Sequence, residues 1–165
     1  MTQVLPGEPV RVRETYEEWA LVSTAYDYPG WLRLDALGGE GGKGWLEPTA
    51  STPLEHARGL LGAPYLWGGM TSLGIDCSGL VHMSHRAVGR LVPRDADQQE
   101  QAGTPVEAPE PGDLVTYGTD AADHIAFWTG DGRIIHATQR EGVSRVVEEP
   151  EPEELRARRR RIVRL

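Results

Sequence analysis

Cys77 is the only cysteine of the chain and stands in the string Gly74-Ile75-Asp76-Cys77-Ser78-Gly79-Leu80, directly ahead of a run with helical spacing. A thiol at a helix N-terminus meets unpaired N–H groups and the positive end of the helix dipole, which favour thiolate over thiol. Downstream, His124 and His136 fall in two strand-like segments, His124-Ile125-Ala126-Phe127-Trp128 and Arg133-Ile134-Ile135-His136-Ala137-Thr138. A nucleophile on a rigid mount, an imidazole within hydrogen-bond reach and a group that orients the imidazole are the parts of a cysteine hydrolase. Each part also has an ordinary reading. Free cysteine is among the most buried residue types, and a lone strand histidine is more often simply packed. Between the two segments, Thr129-Gly130-Asp131-Gly132 is a strong hairpin signal, so the histidines can share one face of a two-stranded ribbon.

The elements that must position these residues are legible as pattern. A short helix over about residues 53–61 closes at Gly62. After Cys77, Leu80, Val81, Ser84, Ala87 and Val88 recur at helical spacing, and Gly89 is a natural C-cap. From Pro111 onward the chain reads as strands, starting with Leu114-Val115-Thr116-Tyr117. Helices followed by antiparallel strands make an α+β domain over residues 51–165. The first fifty residues read differently. Pro9–Arg13, Trp19–Val22, Gly30–Leu34 and Gly44–Pro48 are short strand candidates, separated by turns at Pro6-Gly7, Tyr28-Pro29-Gly30 and Gly38–Gly42. This is the pattern of a small β-barrel, with Pro48–Pro53 as linker.

Composition narrows the function further. The formal charge of −8 argues against general nucleic-acid binding. Six arginines crowd residues 156–165, leaving 11 basic against 25 acidic groups in the rest of the chain. That tail reads as a terminal strand whose basic side chains face an acidic body, rather than as a polyanion-binding arm. One cysteine leaves no internal disulfide, no apolar run approaches membrane-spanning length, and the N-terminal residues lack a signal-peptide pattern. The expectation is a cytoplasmic protein without membrane or nucleic-acid partners. His82 and His85, spaced i, i+3, read as a surface or half-buried pair rather than metal ligands, and His56 carries no argument. Without a zinc-protease helix motif, P-loop or dinucleotide fingerprint, no cofactor is expected.

Six strings occur in order: Tyr65-Leu66-Trp67-Gly68-Gly69, Asp76-Cys77-Ser78-Gly79-Leu80, Pro93-Arg94-Asp95-Ala96-Asp97-Gln98, Pro111-Gly112-Asp113-Leu114, His124-Ile125-Ala126 and Ile135-His136-Ala137. Together they resemble the NlpC-type cysteine peptidases of bacterial cell-wall peptides, and residues 4–48 resemble the SH3-like domains found beside such hydrolases. The resemblance implies a papain-like α+β catalytic domain over 51–165 after a small, truncated SH3-like barrel over 1–50. It implies Cys77 as nucleophile, His124 as base, His136 as the group orienting His124, and the Cys77 N–H with the Tyr65 hydroxyl stabilising an oxyanion. Asp76 and Ser78 would grip the free amine of a substrate, Trp67 would form a cleft wall, and Tyr26, Tyr28 and Glu8 would be contacts from the SH3-like part. Arg94 and Gln98 would pack and hydrogen-bond. The implied substrate is a murein peptide, L-alanyl-γ-D-glutamyl-diamino acid, cut between the last two residues. The alternatives are a lytic hydrolase or amidase of intact wall, or a non-catalytic wall-binding module.

Overall fold

The computed structural model describes residues 1–38, 42 and 44–165, so most of the expected Gly38–Gly42 turn lies outside the described residues. The chain divides into two compact units, Val4–Glu47, and Met1–Gln3 together with Pro48–Leu165. The division falls just ahead of the expected boundary at residue 50. The first residues join the larger unit because Gln3 Oε1 accepts from the Met70 N–H at 2.8 Å and Thr2 Oγ1 from Arg94 Nε at 3.1 Å.

In the smaller unit, β1 (Val10–Tyr16), β2 (Trp19–Thr24) and β3 (Pro29–Arg33) form an antiparallel sheet in that order. Its hairpins turn on Glu17 at φ 50° and Asp27 at φ 58°, the second locked by the Tyr28 N–H donating to Thr24 Oγ1 at 3.0 Å. Ala20 and Val22 are buried, while Val12, Tyr16, Trp19 and Trp31 remain exposed. The expected fourth strand at Gly44–Pro48 is instead a turn. Gly44 has φ 74°, and the Glu47 N–H bonds back to the Gly44 carbonyl at 3.3 Å. Three strands, not a closed barrel, are present among the described residues.

The larger unit opens with α1 (Pro53–Gly59), capped by Thr52 and started by a proline at its first position. A two-stranded ribbon, β4 (Met70–Thr71) and β5 (Gly74–Ile75), leads into α2 (Cys77–Arg86), followed by α3 (Ala96–Ala102). A six-stranded antiparallel sheet follows from β6 (Thr104–Pro105), β7 (Leu114–Tyr117), β8 (His124–Gly130), β9 (Arg133–Arg140), β10 (Val143–Pro150) and β11 (Arg159–Arg164). A single turn of helix, α4 (Glu153–Arg156), joins the last two. The sheet order is β10-β9-β8-β7-β11-β6. One face buries Leu114, Ile125, Phe127, Ile135 and Ala137 against Leu80 and Val81 of α2. The opposite face carries a smaller cluster of Val115, Tyr117, Ala126 and Ile134, covered by Trp128, Leu155 and Ile162. The arginine-rich tail is β11, and its charges are used internally. Arg159 pairs with buried Glu151, Arg160 with Glu100, and Arg164 Nε with Asp113 Oδ1 at 2.7 Å.

Candidate active site

Helix α2 begins at Cys77 because Asp76 caps it. Asp76 holds an extended backbone, and its Oδ1 accepts from the Gly79 N–H at 2.6 Å. Its Oδ2 accepts from the Gly68 N–H at 2.7 Å and from Arg94 Nη2 at 2.9 Å. Arg94, 1% exposed, also donates through Nη1 to Ser78 Oγ at 2.8 Å. Asp76 and Ser78 therefore hold the helix start in place before they touch anything else. The glycines of the two strings mark close backbone contact. A Cβ on Gly79 would stand 2.3 Å from the Gly69 carbonyl oxygen, and one on Gly69 2.3 Å from that of Gly74. The buried glutamine is Gln99, whose Nε2 donates to the Ser78 and Pro93 carbonyls at 3.0 and 2.8 Å, while Gln98 is exposed. One residue turns a helical side chain by about 100°, and α3 presents its face one position later than the string implied.

Cys77 is 7% exposed and packs into the core beside Ile125. Burial pushes its thiol up to about 12 and the Asp76 charge adds to this, against a smaller downward pull from the Ile125 and Ser78 N–H groups. The thiolate expected of a helix N-terminus is thus overridden by desolvation. The Ile125 contact sets the sulfur against the strand that carries His124. His124 is pushed down to about 3 by burial, with His136 and Arg158 contributing. At rest Cys77 is thus a thiol and His124 a neutral imidazole.

Strand register brings the histidines together. Phe127 stands opposite Ile135 and Trp128 opposite Ile134, so His124 and His136 share a face as diagonal neighbours. His124 Nε2 lies 2.8 Å from His136 Nδ1, leaving His124 Nδ1 clear of that contact. His136 is fully buried, and its Nε2 lies 2.8 Å from Glu149 Oε1 on β10. Tyr117 packs its ring 5.8 Å from that of His124. Glu149 carries no sign of this role in the sequence. It is one carboxylate of a Glu-Glu pair, and only the pairing of Val147 with His136 brings it near.

A cleft of about 240 Å³ opens at Cys77, lined also by Tyr65, Trp67, Asp76, Ser78 and three further carboxylates, Asp95, Asp97 and Asp123. Trp67 is 68% exposed at this cleft, and burial pushes the Tyr65 hydroxyl up to about 12, keeping it a neutral donor. Cys77, Tyr65, Trp67, Asp76 and Ser78 are thus brought together. Glu8, Tyr26 and Tyr28 lie in the smaller unit, where Glu8 is buried with Oε2 accepting from the Leu5 N–H at 3.3 Å. The Tyr26 and Tyr28 rings stand 6.4 Å apart on the turn into β3. His82 and His85, expected at or near the surface, are buried in α2, donating from Nδ1 to the Val92 and Val81 carbonyls at 2.8 and 3.0 Å.

All five histidines of the chain, His56, His82, His85, His124 and His136, are held below their ordinary value, with burial the largest cause in each. Below pH ~6.5 the unfolded chain binds protons that the folded chain refuses, so stability is full above that value and falls with pH. His82, pushed to about 4, and His124, pushed to about 3, stay neutral at mildly acid pH. Each then costs about 2 kcal/mol at pH 5. The melting temperature of the larger unit is expected to fall by about 10 °C between pH 7 and pH 5. A flat melting temperature over that range would contradict the buried neutral histidines.

Comparison with known proteins identifies the family of both units. The NlpC/P60 family model matches residues 62–160, and the model of the bacterial dipeptidyl-peptidase Sh3 domain matches residues 1–37. The γ-D-glutamyl-L-lysine dipeptidyl-peptidase of Bacillus subtilis is 36% identical over 95 residues, covering 54% of this chain and 32% of that protein. The peptidoglycan endopeptidase RipB of Mycobacterium tuberculosis is 34% identical over 101 residues, covering 52% of this chain and 42% of its own length. The match thus spans about a third of the dipeptidyl-peptidase. Among solved structures, an NlpC/P60 family protein from Bacillus cereus superposes with TM-score 0.65 at 24% identity, over 94% of this chain and 53% of that one. The NlpC/p60 domain of the peptidoglycan hydrolase SagA does so with TM-score 0.59 at 28% identity, over 70% and 97%. The chain therefore belongs to the NlpC/P60 family, with a papain-like fold and a bacterial SH3 domain at its N-terminal end.

Proposed function

We propose that this chain is a cysteine endopeptidase that cuts the γ-D-glutamyl–diamino acid bond of murein peptides bearing a free N-terminal L-alanine. The observations that carry it are Cys77 at the start of α2, on a cleft lined by carboxylates, and the paired imidazoles of His124 and His136 on the two strands that follow. Cys77 Sγ attacks the carbonyl carbon as its proton passes to His124 Nδ1. The Cys77 N–H and the Tyr65 hydroxyl donate to the developing oxyanion. The imidazolium gives the proton to the departing amine as the C–N bond breaks. Water, deprotonated by the same nitrogen, then attacks the thioester carbon. The C–S bond breaks to free the γ-D-glutamyl carboxylate, and the proton returns to Cys77 Sγ.

The acidic lining supports an ammonium-bearing substrate. Asp76 and Ser78 meet the amine in this reading, although Asp76 already accepts from Gly68, Gly79 and Arg94. The further charge at the cleft comes from Asp95 and Asp97, with Trp67 as a wall. The activity for which the Bacillus subtilis relative is named and the match to a dipeptidyl-peptidase Sh3 domain support this assignment. A net charge of −8 suits a small free peptide better than an anionic wall, which supports the reading of a recycling enzyme, with the cytoplasm as its proposed compartment.

The test compares kcat/KM for the free tripeptide with that for its N-acetyl form. Acetylation removes the charge that the carboxylates meet, and a ratio above ~100, about 2.7 kcal/mol, is expected. Equal rates, or preference for peptide still attached to sugar, would assign the site to lysis of intact wall instead.

A further inference from the structure

We propose that Glu149 is a positioning residue for the reaction, fixing through His136 the tautomer that leaves His124 Nδ1 bare to act as a base. The inference rests on the peptidase reading of the site but is built from contacts that the reading did not supply. A carboxylate can only accept, so the nitrogen 2.8 Å from Glu149 Oε1, His136 Nε2, carries a proton. His136 is fully buried, and burial outweighs the attraction of Glu149 in holding it neutral. A neutral ring protonated at Nε2 can only accept at Nδ1. His124 Nε2, 2.8 Å away, must then donate, and the one remaining nitrogen of His124 is unprotonated.

The chain of contacts ends at a built anchor. Arg140 Nη1 and Nη2 donate to Glu149 Oε1 and Oε2, both at 2.7 Å, in a two-pronged arrangement that fixes the carboxylate plane. Arg140 and His136 lie on the same face of β9, and Glu149 reaches both from β10. The other charged group acting on the pair is Arg158, which disfavours protonation of His124. The effect is a tautomer set two hydrogen bonds away from the nucleophile. A wrong tautomer would put a proton on the nitrogen that must receive one.

The measurement is the nitrogen NMR of imidazoles in the full-length, nitrogen-15-histidine-labelled protein without substrate, alongside kcat/KM on the murein tripeptide. In the unsubstituted protein His124 and His136 should both be protonated at Nε2 only. Glu149→Leu should mix the tautomers of His136 and His124 and lower kcat/KM by about tenfold to a hundredfold, with KM little changed. Glu149→Gln, whose amide oxygen still accepts from Nε2–H, should keep the tautomers and stay within about fivefold of the parent. A proton on Nδ1 of His136 in the unsubstituted protein would overturn the inference. So would a Leu variant with unchanged tautomers, or one as active as the parent. If the unsubstituted protein cleaved no murein peptide, the peptidase reading would fall while the tautomer result stood by itself.

Discussion

Replacing Cys77 by alanine is expected to lower kcat/KM on a murein peptide by at least ~10⁴-fold, because the nucleophile of a covalent route has no substitute nearby. Among the described residues the cleft offers the aliphatic hydroxyl of Ser78, and its oxygen is bound by Arg94 Nη1 at 2.8 Å. The fold should survive. Alanine suits a helix start capped by Asp76, and loss of one buried sulfur costs about 1 kcal/mol. Circular dichroism and melting temperature close to the parent, together with lost turnover, are the expected pair of results. Retained peptidase activity in the alanine variant would remove Cys77 from the mechanism.

The second large effect separates the two histidines. His124→Ala removes the base and is expected to cost about 10³-fold or more in kcat. His136→Asn or His136→Gln leaves an amide oxygen to accept from His124 Nε2–H, and should hold activity within about a hundredfold of the parent. The difference follows from the roles, since His136 bonds the Nε2 of His124 at 2.8 Å and orients the ring that takes the proton. Steady-state kinetics of the variants at equal folded fraction checks it. Equal losses at both positions would mean that His136 takes part in proton transfer itself.

How much of this was legible depends on whether a residue's role is local. Asp76-Cys77-Ser78-Gly79 could be read because a cap and a close-contact glycine are written within four residues. The hairpin bearing His124 and His136 was readable from Thr129-Gly130-Asp131-Gly132, where Asp131 and Gly132 adopt φ 50° and 72°. Glu149 was not, because its partner lies across a strand pair whose register no local pattern sets. The thiolate expectation failed for the same reason. The helix terminus at Cys77 is local, whereas its burial comes from Ile125 and the sheet beneath. Gly44–Pro48 looked like a second glycine-tryptophan strand, and the bond from the Glu47 N–H to the Gly44 carbonyl made it a turn.

The central claim is that Cys77 breaks one particular bond, and mass spectrometry of the products from L-alanyl-γ-D-glutamyl-L-lysine and its diaminopimelate counterpart tests it most directly. The account predicts L-alanyl-γ-D-glutamate and the free diamino acid from at least one of them, with no product when Cys77→Ala replaces the parent protein. Release of free alanine, or cleavage only of the bond joining peptide to sugar in whole peptidoglycan, would contradict it.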